Sequence, residues 1–92
     1  MDQVIKLASK TLTDTFEVLY NKPSKPFIIK TVLLYNANTE AGYAVLNLDG
    51  MDFKFPVTAD ETKIINIPIV SNVIQAKGNK INIHISGIQI GE

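Results

Sequence analysis

Lys80-Ile81-Asn82-Ile83-His84-Ile85-Ser86 is the stretch that decides the fold. Its isoleucines alternate strictly with polar residues. An extended backbone therefore puts Ile81, Ile83 and Ile85 on one face and Asn82, His84 and Ser86 on the other. One face is core; the other meets solvent or a partner. After Gly87 the phase changes, because Ile88 and Ile90 carry the apolar positions onward. A period-two pattern that slips by one residue at a glycine predicts a β-bulge there.

The same reading extends upstream. Phe27 to Tyr35 is almost continuously apolar, broken by Lys30 and Thr31, which suits a central strand with both faces partly covered. Two prolines, Pro23 and Pro26, precede it and mark a loop, since proline cannot donate to a ladder. The polar run Asn36 to Gly42 ends it. Tyr43 to Leu48 then runs into Asp49-Gly50, a strong hairpin signal. The return strand, Asp52 to Val57, alternates with Phe53, Phe55 and Val57 on one face, and Pro56 either places it at a sheet edge or ends it there. Further strands are expected at Phe16–Tyr20, Lys63–Ile67 and Ile69–Lys77, with Pro68 as a strand end or a corner between sheets. The segment from Val4 to Leu12 reads as a strand or extended arm, although Val4, Leu7 and Ala8 also fit a helical stripe. Turn residues recur about every eight to twelve positions, and no crossover helix is visible. The expected fold is all-β: an antiparallel β-sandwich of seven to eight short strands, of which a jelly roll is one form. Residues 1–92 are expected to form a single domain, with 1–12 as an N-terminal arm or edge strand.

Composition narrows the function. With 92 residues there is room for one modest core and little for a deep cleft as well. Nine Lys and Arg balance nine Asp and Glu, so the basic excess that phosphate binding demands is missing and no nucleic-acid partner is expected. There is no cysteine, hence neither a disulfide framework nor a thiolate metal site. The first residues do not read as a signal peptide and no long apolar run suggests a membrane span, so a soluble chain made in the cytoplasm is expected.

Catalytic constellations are thin. His84 is the single histidine, with Asn82 and Ser86 as same-face neighbours; these three could form a polar contact surface, but no orienting group completes a triad. Asp49-Gly50-Met51-Asp52 offers two carboxylates, which a hairpin turn explains better than a calcium loop. Asp60-Glu61 reads as a solvated turn. Lys22, Lys25 and Lys30, near Tyr20 and Phe27, read as loop lysines beside core aromatics. No catalytic, cofactor-binding or metal-binding residue is expected, no cofactor, and no enzyme activity. What remains is surface, and sheet edges are natural sites of strand addition.

The order of features resembles a group of small bacteriophage virion structural proteins. In these, a Leu-Tyr-x-x-Pro step precedes a hydrophobic strand ending in Tyr/Cys-Asn, a Gly-bearing turn follows, and an Asn-Ile-x-Ile-Ser-Gly strand comes last. The matching stretches are Leu19-Tyr20-Asn21-Lys22-Pro23, Ile28 to Asn36, and Lys80 to Ile90 with Ser86-Gly87. Ala76-Lys77-Gly78-Asn79 is similar to the family's Leu-x-Ala-Gly-Asp step but departs from it, with Lys-Gly-Asn in place of Gly-Asp. The resemblance spans roughly residues 10 to 90.

It implies a non-enzymatic β-sandwich of the virion, a decoration or head-to-tail accessory protein made in the host cytoplasm. Its partners would be major capsid, neck or tail subunits and other copies of itself in a homo-oligomer, with no membrane partner. The alternative is a host-adhesion or carbohydrate-binding module of the adsorption apparatus, which an absence of Trp and only three Tyr disfavour. Contacts are expected from the N-terminal segment Val4, Ile5, Lys6 and Leu7, and from the loop Asn21, Lys22, Pro23, Ser24 and Lys25. Terminal arms and loops can reach a neighbour without disturbing a core.

Overall fold

The computed structural model describes residues 4–66 and 68–89. The Ile67 end of the strand expected from Lys63, and Ile90, lie outside them. Among the described residues there are nine strands: β1 (Val4–Thr11), β2 (Glu17–Asn21), β3 (Phe27–Asn36), β4 (Gly42–Leu48), β5 (Met51–Val57), β6 (Thr62–Ile65), β7 (Ile69–Ser71), β8 (Val73–Gly78) and β9 (Ile81–Gln89). They form two antiparallel sheets. The first has the order β1-β9-β3-β6, with β7 also paired to β3; the second has the order β2-β8-β4-β5.

The topology follows from one long hairpin. At its tip, Asp49 (φ 53°) and Gly50 (φ 91°) both take positive φ and join β4 to β5, the type I′ geometry that matches strand twist. Moving outward, β3 pairs with β6 and β7, β2 with β8, and β1 with β9. Successive rungs alternate between the two sheets. Counting β6 and β7 as one strand interrupted around Pro68 leaves eight strands wound as a jelly roll.

The inward faces fill the space between the sheets. Phe27, Ile29, Val32 and Leu34 of β3 meet Ile81, Ile83 and Ile85 of β9 within the first sheet. Ala44, Leu46, Ile74, Ala76, Tyr20 and Val57 face them from the second. Each buried isoleucine or leucine contributes about 1.5–3 kcal/mol, so these residues dominate stability. Leu12, fully buried at the β1–β2 corner, closes one end, its backbone bonded to Ile81 and Lys80.

Two expectations need correction, and the choice left open at Val4 to Leu12 falls to the strand. Ile69–Lys77 is not one strand. It breaks at Asn72, where the chain leaves the first sheet (β7) for the second (β8), so the corner is at Asn72 and not at Pro68. Val4 to Leu12 forms no helical stripe: β1 is a hydrogen-bonded edge strand. Nor does β9 bulge at Gly87. The extra residues lie on its neighbours, at Leu7 of β1 opposite Ile85-Ser86 and at Lys30 of β3 opposite Ser86-Gly87. Position 87 faces inward and has to be glycine, because a Cβ there would lie 2.0 Å from the Ile28 carbonyl oxygen and 2.7 Å from the Phe27 ring. Ile88 consequently faces outward.

Candidate interaction surface

The outward face of the first sheet is built from direct cross-strand partners. One row runs Val4–Ile88–Ile28–Val70 across β1, β9, β3 and β7. All four are apolar; Val4 is 64% and Val70 59% exposed, while Ile88 and Ile28 are half-buried. The next row, Lys6–Ser86–Thr31, is polar, and Thr31 donates a hydrogen bond to Asn66 Oδ1 at 2.9 Å. Then comes Ser9–His84–Leu33–Ile64, with Ile64 60% exposed. The last row is Thr11–Asn82–Tyr35–Thr62.

The last two rows surround an open, shallow hollow lined by Ser9, Thr11, Leu33, Tyr35, Asn82 and His84. Its polar groups are held in place. Thr11 Oγ1 donates to Asn82 Oδ1 at 2.7 Å, and the Tyr35 hydroxyl donates to Asp60 Oδ1 at 2.7 Å. That hydrogen bond and the Asp60 charge raise the Tyr35 pKa, which keeps the hydroxyl protonated as a donor. Beside the hollow, Lys10 Nζ lies 2.6 Å from Glu17 Oε1 and lowers the Glu17 pKa. His84, half-buried between Ser9 and Leu33, has neither Asp nor Glu as a direct cross-strand neighbour. Among the described residues no group of three or more His, Asp or Glu is placed to hold a metal ion.

The second sheet presents a different outward face. Lys54 Nζ sits 4.3 Å from the Tyr43 ring centre and Lys77 Nζ 4.7 Å from that of Phe16. Asn47 Nδ2 donates to Asp52 Oδ1 at 2.7 Å. Val45, flanked by Lys54 and Lys77, is only 7% exposed. This is a charged face whose lysine heads rest on aromatic rings.

The two segments expected to make contacts lie at one end of the sandwich. Val4 aligns through Ile88 with Ile28, one residue inside the start of β3, and the loop after Asn21 leads into that start. Val4, Ile5 and Lys6 are exposed and Leu7 packs partly against the core, all within an edge strand rather than a free arm. Asn21 is the last residue of β2. Lys22, Pro23 and Ser24 are exposed, while Lys25 is half-buried with its carbonyl bonded by the Tyr20 hydroxyl. The loop is stapled: Lys22 N–H donates to the Asn72 carbonyl (3.0 Å), and Asn72 Nδ2 donates to the Pro23 carbonyl (2.8 Å). Asp49 Oδ1 accepts the N–H groups of Asn72 and Val73, each at 2.9 Å. The Val73 and Asn72 bonds lower the Asp49 pKa. Loop 22–25, the hairpin tip and the Asn72 corner are thus joined by hydrogen bonds at one end.

Sequence reasoning placed Asn82, His84 and Ser86 on one face but missed the apolar row above them. Ile28, Ile88 and Val70 belong to three separate strands, and only the pairing register makes them neighbours. The available signal was Ile88 itself: carrying the alternation of Ile81, Ile83 and Ile85 through Gly87 without a slip turns it away from the core.

No family model matches the chain, and no curated protein matches it.

Proposed function

We propose that this chain is a non-enzymatic structural component of a bacteriophage particle, a decoration or accessory protein that binds capsid, neck or tail subunits. The observation that carries the reading is the Val4–Ile88–Ile28–Val70 row. Four apolar side chains aligned across a sheet face leave Val4 and Val70 more than half exposed, and burying the row against a partner is favourable. The family resemblance supports the same reading, since its steps fall on structural joints: Leu19 to Pro23 ends β2, Ile28 to Asn36 is the body of β3, and Ser86-Gly87 sits between the two flanking bulges. A jelly roll is also a fold that particle proteins use, which is support by analogy only.

The test is incorporation. Wild-type protein and a Val70→Lys variant, both folded by circular dichroism, are supplied to particles assembled without the protein. The reading expects the wild type to co-sediment with particles and the variant to be reduced at least about tenfold, since one buried charge costs more than the lost apolar contact. Equal co-sedimentation of the two removes the row from the interface, and no co-sedimentation of the wild type removes the reading.

One observation favours a second reading, in which the protein is an adhesion module. The hollow beside Tyr35 offers an aromatic ring with Asn82, Thr11 and Ser9 as polar partners. Glycan-array binding abolished by Asn82→Ala would favour it over the first.

A further inference from the structure

The four sheet edges are not equivalent. β1 is interrupted by the bulge at Leu7 and carries Lys6 and Lys10. β2 is short and has its own register shift between Val18 and Tyr20. On the far side of the first sheet, β6 and β7 are separate short strands of four and three residues. β5 is different: seven residues in unbroken register with β4, and exposed from Met51 through Lys54. An unbroken open edge is a template for another strand.

The direction of its backbone groups follows from the hairpin. A two-residue turn is closed by a hydrogen-bonded pair, here Leu48 and Met51, and alternation makes Leu46–Phe53 and Ala44–Phe55 bonded pairs as well. Asp52 and Lys54 therefore aim their N–H and C=O groups at the open edge. Pro56, which has no N–H to offer, occupies the next outward position, as a proline on an edge strand must.

We propose that β5 pairs antiparallel with β5 of a second copy about a two-fold axis at Phe53, joining the second sheets of two molecules into one continuous sheet. An outward-directed residue must meet another outward-directed residue, so few registers are open. Centring on Lys54 sets Lys54 against the partner's Lys54, and centring on Asp52 sets Asp52 against the partner's Asp52. Centring on Phe55 places the partner's Pro56 opposite Lys54 and loses N–H donors. Centring on Phe53 sets Asp52 against the partner's Lys54 and Lys54 against the partner's Asp52. Both are hydrogen-bonded pairs and both join opposite charges, which stabilises a sheet where like charges would not.

The centre fits equally well. Phe53 meets the partner's Phe53 at a non-bonded position, where side chains approach most closely. Met51 lies opposite the partner's Phe55. Met51 is 66% and Phe53 45% exposed in the single chain, and both gain cover. Lys54 guards this edge against pairing in other registers, while Asp52 makes one register attractive. The dimer does not depend on the particle reading proposed above, and either can fail without the other.

Sedimentation velocity across a concentration series at low salt tests it. The wild type is expected to form a dimer. Asp52→Lys and Lys54→Asp, each alone, turn both ion pairs into like-charge contacts and should raise the dissociation constant at least about tenfold. An equimolar mixture of the two variants restores both opposite-charge pairs, so a heterodimer should return. A wild type that stays monomeric, a dimer unaffected by either reversal, or variants that do not recover on mixing would overturn the proposal.

Discussion

Replacing Asn36 should be among the most damaging single changes available to this protein. Asn36 ends β3 and is fully buried, yet every polar atom of its side chain is used. Its Nδ2 donates to the carbonyls of Glu40 (2.9 Å) and Val57 (3.0 Å). Its Oδ1 accepts from the backbone N–H and the Nδ2 of Asn38, both at 2.9 Å. One side chain thereby ties β3, the 36–42 connection and the end of β5 together. Asn36→Ala removes both donated bonds at about 1 kcal/mol each, about 1 kcal/mol for the Asn38 pair, which recovers water, and packing besides, so about 3–4 kcal/mol in all.

Asn36→Asp separates shape from chemistry. The carboxylate keeps its acceptor for Asn38 but turns negative charge on the Glu40 and Val57 carbonyls, so its folded pKa should rise above the ordinary value of about 4. A raised carboxyl pKa makes the variant most stable below the unfolded value and progressively weaker as pH rises through the folded one. Urea unfolding followed by far-UV circular dichroism between pH 3 and 8 reads both, and the denaturant slope should stay unchanged. An Asn36→Ala cost below about 1 kcal/mol, or an Asn36→Asp variant that tracks the wild type at every pH, would refute the assignment of Asn36 as a structural clasp.

Other outcomes follow from the same geometry. Gly87→Ala should cost more than about 3 kcal/mol or prevent folding, because its methyl group collides with the Ile28 carbonyl and the Phe27 ring; soluble yield and urea midpoint report it. Gly50→Ala places a Cβ at φ 91° in the hairpin tip and should cost about 1–2 kcal/mol with the fold intact, again by urea unfolding. Asp49, Glu17 and Glu61 all have lowered pKa values, held by the Val73 N–H, the Lys10 ammonium and the Thr58 N–H respectively. Depressed carboxyl pKa values supply stability above the unfolded value that is lost as pH falls through the folded one, so melting temperature should drop on acidification. Asp49→Asn should flatten part of that dependence, and an acid profile identical to the wild type's would rule Asp49 out as a contributor.

The parts of the fold that announce themselves in the sequence are those set by neighbours along the chain. Asp49-Gly50 needs only its own positive φ angles to mark the hairpin, and Ile81, Ile83 and Ile85 mark their strand by alternation alone. Pro56 signals an edge or a strand end because a residue without an N–H cannot donate within a ladder. Asn72 is the opposite case. Ser71-Asn72-Val73 sits inside an apolar run that reads as one strand, and the corner is made by Asp49, which accepts two N–H groups from a position 23 and 24 residues away. Asn36 reads in the sequence as the start of a polar turn, but it is the last residue of β3, and its burial depends on Val57, 21 residues on. The candidate interaction surface was half visible for the same reason. The polar side of β9 can be read from β9, whereas the apolar row needs the register of four strands.

Quantitative mass spectrometry of purified phage particles would test the functional reading most directly. The chain should be present in a fixed copy number relative to the major structural subunits, after washing that removes loosely held protein. Abundant chain in the infected-cell lysate together with its absence from washed particles would contradict that reading.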